Sequence, residues 1–71
     1  MPLVNVKLIE GVFSQEQKQE MIRRMTDIMA ELEGDYMRPL TLVVIDEVKS
    51  GDWGVGGKAF SRADVKAMAE K

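Results

Sequence analysis

Pro2 carries the most distinctive chemistry available to this chain. Removal of Met1 would leave its ring nitrogen as a terminal secondary amine. An ordinary α-amino group titrates near about 7.7–8.0. Modest desolvation, or a cation close by, lowers that value and leaves a neutral base at physiological pH. With Met1 retained, the same nitrogen is a tertiary amide without a basic lone pair. The composition leaves few rivals. There is no histidine and no cysteine, which excludes Ser-His-Asp chemistry, thiol nucleophiles, Fe–S clusters, disulfides and ordinary zinc sites. Catalysis has to draw on carboxylates, lysine, arginine, tyrosine, backbone amides or the chain terminus. Among these the terminal amine is the best proton shuttle.

The other candidates have plainer readings. Asp46, Glu47 and Asp52 could form an acid pair or a divalent-ion site. Adjacent strand residues point to opposite faces, however, so solvated strand-end charges are the better account. Arg23 and Arg24 could hold an anion, but with Asp27 and Glu31 nearby they fit paired charges on a wet helix face. Met21, Met25 and Met29 recur at helical spacing and read as core rather than as an adaptable binding surface. Gly54, Gly56 and Gly57 follow the second strand instead of separating a first strand from its helix, so they make a turn, not a dinucleotide or phosphate loop. Trp53, the single tryptophan, suits an interface anchor or a pocket wall.

Elements must position these groups, and size limits how. The chain of 71 residues accommodates one domain, read here as spanning 1–71. A net charge of -2 and a pI near 5.0 argue against nucleic acid or anionic membrane as the main partner. No apolar run approaches a membrane span and Asn5, Lys7 and Glu10 interrupt the first segment, so neither a spanning helix nor a secretory signal is read and the expected location is cytoplasmic. A chain this short sits near the margin of independent stability, and self-association is the remedy its composition leaves open.

Leu3 to Ile9 reads as a strand ended by Gly11. Ser14 and Gln17 form a capping box for a long helix. Its apolar stripe runs through Met21, Ile22, Met25, Ile28, Met29 and Leu32, with Lys18, Arg23, Arg24, Asp27 and Glu31 off the stripe. Gly34 stops the helix, and Asp35 to Pro39 is a loop because Pro39 disfavours helical geometry at Arg38. Leu40 to Ile45, almost continuously apolar, reads as a second strand covered on both faces. Strand, helix and strand make a crossover with the strands parallel. One helix covers one face of that pair, and a second copy is the expected cover for the other. Ser50-Gly51-Asp52 is turn chemistry. Ser61 and Asp64 cap a short terminal helix carrying Val65 and Met68.

Three segments taken together, MPLVNVKLIEG, SQEQKQEMI and GDWGVGG, resemble the 4-oxalocrotonate tautomerase family over nearly the whole chain. The resemblance implies an α/β fold: a β-α-β tautomerase-like protomer with a parallel strand pair and a C-terminal hairpin and short helix. It implies assembly as a homohexamer, a trimer of dimers. It also implies a cofactor-independent isomerase in which Pro2 moves a proton between oxygen and carbon of a small enol or 2-oxo acid. Trp53 matches the aromatic residue that lines the family's active site. Val12 stands where the best-known members carry an arginine after the first strand's Glu-Gly, and Leu42 falls at the second-strand arginine. Loss of both guanidinium groups removes bidentate carboxylate recognition, which implies a monoacid or aromatic enol over a dicarboxylate. Arg38, in a longer helix-to-strand connection, is the candidate for a relocated cation. The alternatives are a non-catalytic member of the fold, kept as a small-ligand binder or assembly subunit, and a subunit of a mixed oligomer whose partner supplies arginines.

Overall fold

A computed structural model describes residues 1–69, with element order β1 (Leu3–Ile9), α1 (Gln15–Glu33), a 3₁₀ helix (Asp35–Leu40), β2 (Leu42–Val48), β3 (Trp53–Val55), β4 (Lys58–Phe60) and α2 (Arg62–Ala69). β1 and β2 pair in parallel, in a register running from Leu3 opposite Leu42 to Ile9 opposite Val48. A parallel pair needs a long crossover, and the 19-residue α1 supplies it.

Local chemistry starts and stops α1 as the sequence indicates. The Ser14 hydroxyl accepts from the Gln17 amide at 3.1 Å, and the Gln17 side chain accepts from the Ser14 amide at 2.9 Å. Gly34 ends the helix at φ 112, and its N–H still donates to the Ala30 carbonyl. A Cβ there would meet the exposed Tyr36 ring at 2.9 Å, which can move aside, so it is the positive φ that favours glycine.

Several expectations need correcting. The Asp35–Pro39 segment is not an open loop: a 3₁₀ helix spans Asp35–Leu40 with Pro39 inside it. The Met37 amide donates to Gly34 and the Thr41 amide to Arg38, so proline's missing donor falls between two bonds that close without it. The second strand therefore begins later and runs further, over Leu42–Val48 rather than Leu40–Ile45. Asp46 and Glu47 stay in the ladder because each finds a cation on its own face: Lys7 for Asp46 at 2.6 Å and Lys18 for Glu47 at 2.9 Å. Lys18 consequently lies over the sheet, half-buried, instead of off the covered stripe.

The half-buried apolar positions of the sheet are Val4, Val6, Leu8, Val43 and Ile45, and α1, which packs on β2, has Met21, Met25 and Met29 half-buried and Ala30 buried. Ile28 and Leu32, placed on the stripe by spacing, are exposed. The opposite face is open except at its Ile9–Val48 end. Leu3, Leu42 and Val44 lie together on it at 62%, 49% and 43% exposure. β2 thus alternates covered and open positions, unlike a strand buried on both sides. Ile9 and Ala30 are the buried apolar residues among those described. The chain exposes 5246 Å², against roughly 4,450 Å² for a compact monomer of this mass. Its radius of gyration is 14.8 Å, against about 11 Å for a compact chain of this length.

After β2, β3 and β4 form an antiparallel hairpin in which Trp53 faces Phe60 and Val55 faces Lys58. The two residues between the strands, Gly56 and Gly57, both take positive φ, as a tight type I′ hairpin turn demands. α2 begins at a second capping box: the Asp64 amide donates to the Ser61 hydroxyl at 3.2 Å, and the Ser61 amide donates to the Asp64 carboxylate at 2.9 Å. Among the described residues no helix is long and apolar enough to cross a membrane.

Candidate active site

The strand pair has two chemically different ends. At the start of β1, Pro2 is half-buried and its carbonyl accepts from the Leu42 amide at 3.0 Å. Leu42 is therefore a direct neighbour of Pro2. Leu3, the other strand-end residue, pairs with Leu42, and both side chains lie exposed on the open sheet face.

At the far end of β1 the chain turns at Gly11 (φ 80). Val12 and Phe13 there join Leu8, Ile9, Trp53, Val65, Ala69 and the stem of Lys7 around a groove of about 390 Å³. Val12 and Trp53, singled out separately in the sequence, line one surface. Trp53 is half-buried in it, and its position comes from the hairpin that the Gly56-Gly57 turn closes. The ammonium group of Lys7 is occupied by Asp46.

These ends do not meet within one chain. Pro2 and Ile9 are seven steps apart along β1, roughly 23 Å at about 3.3 Å per residue. One copy thus holds a Pro2–Leu42 pair and a Val12–Trp53 pair, well separated.

Arg38 belongs to neither. Its Nη1 donates to Asp27 at 2.5 Å and its Nε to Asp35 at 3.0 Å. Those bonds, with Asp27 the stronger influence, push the guanidinium pKa above its ordinary value. It closes the 3₁₀ segment onto α1 beside an acidic hollow of about 510 Å³ that also holds Glu31. The remaining helix cations behave as spacing indicates: Arg23 and Arg24 both pair with Glu20, lowering its pKa chiefly through the Arg23 hydrogen bond.

Glu10, Ser50 and Arg62, to which the sequence assigned no part in the site, build the Trp53 end. The Ser50 amide donates to the Glu10 carboxylate at 3.1 Å, and the Ser50 hydroxyl accepts from the Arg62 amide at 3.0 Å. This relay ties the exit of β1 to the first turn of α2. The signal available was the Ser61–Asp64 cap, which makes Arg62 the first helical residue and puts Val65 on its face.

Comparison with known proteins now decides the family. A family model described as tautomerase enzyme matches residues 2–63. The chain belongs to the tautomerase family. The probable tautomerase of Campylobacter jejuni is 35% identical over 71 residues, covering 100% of both chains. The probable tautomerase of Dickeya dadantii is 34% identical over 61 residues, covering 86% of this chain and 90% of that one. Among solved structures, a 4-oxalocrotonate tautomerase homologue superposes with a TM-score of 0.75 at 33% identity, covering 84% of this chain and 92% of that one. A structure from work on the 4-oxalocrotonate tautomerase isozymes of Methylibium petroleiphilum gives a TM-score of 0.71 at 31% identity, covering 90% and 97%. The tautomerase fold is therefore as the sequence resemblance implied: a β-α-β unit with a parallel pair, then a hairpin and a short helix.

Proposed function

We propose that this member of the family is a cofactor-independent keto–enol tautomerase whose base is the Pro2 amine, freed by removal of Met1. The setting of Pro2 is the observation that supports this most. Its carbonyl is engaged by the Leu42 amide at 3.0 Å, so the residue is anchored through its acyl side while the nitrogen side stays available. Leu3 and Leu42 beside it are exposed in the single chain; once a second copy covers them, they would disfavour the ammonium form of the amine. The neutral amine takes the hydroxyl proton of an enol, the oxygen lone pair closes to a carbonyl, and the ammonium returns a proton to the α-carbon. The amine is regenerated and nothing is oxidised or reduced.

Trp53 and Val12 act as apolar walls for the body of the substrate, and Leu42 as its neighbour at the proline. An apolar pocket of this kind suits a monoacid or aromatic enol better than a dicarboxylate. The two ends of the site come together between copies. An isologous pairing about a two-fold axis across the strands sets two β1 strands antiparallel and brings Pro2 of one copy toward Trp53 of the other. The bare Leu3, Leu42 and Val44 face supports such an assembly, which the family resemblance extends to a hexamer. Arg38, already neutralised by Asp27 and Asp35, has a structural part in this scheme.

The test is ketonisation of phenylenolpyruvate by protein whose intact mass shows loss of Met1. Pro2→Ala should lower the rate by about 10²–10⁴-fold, the usual contribution of a positioned acid–base group. Equal rates would leave the non-catalytic, ligand-binding reading of the fold in its place.

A further inference from the structure

We propose that Arg62 is the cation that receives the anionic group of the ligand in the Trp53 groove, an inference that deepens the tautomerase reading and rests on it for the reaction but not for binding. The guanidinium side of Arg62 lies against the Gly11 turn: a Cβ built on Gly11 would be 2.8 Å from both its Cδ and its Nη1. Gly11 adjoins Val12, which lines the groove. Arg62 shares one face of α2 with Val65 and Ala69, at i, i+3 and i+7, and these two line the same groove.

Charge separates Arg62 from the other arginines. Arg23, Arg24 and Arg38 each meet a carboxylate, whereas Arg62 forms no ion pair among the described residues. Its position opposes the helix dipole, because a cation in a first turn is unfavourable. Its backbone is nevertheless fixed by the Ser50 hydroxyl at 3.0 Å, and Ser50 by Glu10 at 3.1 Å. An arginine with a tethered backbone, whose guanidinium lies against Gly11 next to the Val12 edge of an apolar groove of about 390 Å³ and forms no ion pair among the described residues, matches one ligand class. That class is a small organic acid in which a single carboxylate adjoins an aromatic or branched apolar body. The carboxylate meets Arg62, bidentate geometry being available to it, and the body lies against Trp53, Val12 and Val65.

Trp53 is the single tryptophan, so its fluorescence reports the groove directly. The experiment titrates the full chain with 3-phenylpropionate and, separately, with the uncharged 3-phenylpropanol, for the wild type, Arg62→Gln and Arg62→Lys. Loss of a hydrogen-bonded charge contact should raise the Kd for the acid on the order of tenfold to a hundredfold in Arg62→Gln. Arg62→Lys should recover part of that, and the alcohol should bind all three proteins alike. Unchanged acid binding in Arg62→Gln, equal losses for acid and alcohol, or no binding to the wild type would each overturn the assignment. Equal losses would identify Arg62 as a structural support of α2. In the same preparations, charge-dependent binding without ketonisation of phenylenolpyruvate would remove the tautomerase reading and leave the Arg62 site standing.

Discussion

The amide of Leu42 donates to the carbonyl of Pro2 at 3.0 Å, in line with the ladder that sets Leu3 opposite Leu42. The first residue of β2 therefore positions the residue before β1, and the orientation of the proline ring is inherited from a strand forty residues away in sequence.

Leu42→Pro removes that donor while leaving the chain path open to it. Thr41 already sits at φ -86, ψ 122, the extended geometry a following proline requires, and a strand's first residue tolerates proline. The variant should lose about 0.5–1.5 kcal/mol of stability, the net worth of one hydrogen bond. Its ketonisation rate should fall well below that of Leu42→Ala, which keeps the amide. Urea titration and the enol assay read the two effects. Equal activity in the two variants would show that the Pro2 carbonyl needs no anchor.

Val44 lies in the middle of the bare sheet face, between Leu42 and Asp46. Val44→Lys puts a charge where a second copy would have to bury it, and an unpaired buried charge is strongly unfavourable. Sedimentation velocity should show the wild type as an oligomer and the variant shifted to a smaller species at equal concentration. A wild type that sediments at 8.0 kDa would end the assembly proposal.

Asp64 ties acidity to α2. Hydrogen bonds from the Ser61 amide and then the Ser61 hydroxyl hold its carboxyl below the usual aspartate value. A depressed folded pKa means the stabilisation is complete above the unfolded pKa and is lost as pH falls through the folded one. The first turn of α2 should therefore keep its hydrogen-exchange protection from neutral pH down to the ordinary aspartate range and lose it only below. Ser61→Ala should move that loss to higher pH, and an unmoved profile would mean that the cap does not govern it.

What was legible in the sequence divides by range. The capping boxes at Ser14–Gln17 and Ser61–Asp64, the stop at Gly34 and the first strand depend on neighbouring residues, and each is found at its expected place. The bounds of β2 depend on β1. Leu40 is apolar yet belongs to the 3₁₀ turn, while Asp46 and Glu47 are charged yet remain in the ladder, because Lys7 and Lys18 reach them from other elements. Composition alone cannot reveal that. The site shows the same division. Pro2 was conspicuous by its chemistry and Trp53 by its rarity. The meeting of Trp53 with Val12, the tying of Arg38 to Asp27 and the docking of Arg62 on Gly11 are long-range events with no periodicity to announce them.

With Ile9 and Ala30 the only buried apolar residues among those described, and Leu3, Leu42 and Val44 left open, this sequence withholds part of its hydrophobic free energy from the isolated chain. Where a second copy covers the open sheet face, that energy is released on collision, and refolding acquires a bimolecular rate law. Its half-time then shortens as chain concentration rises. Newly made copies would stay pliable while scarce and set only when abundant, so the rate of synthesis would govern how soon a working assembly exists.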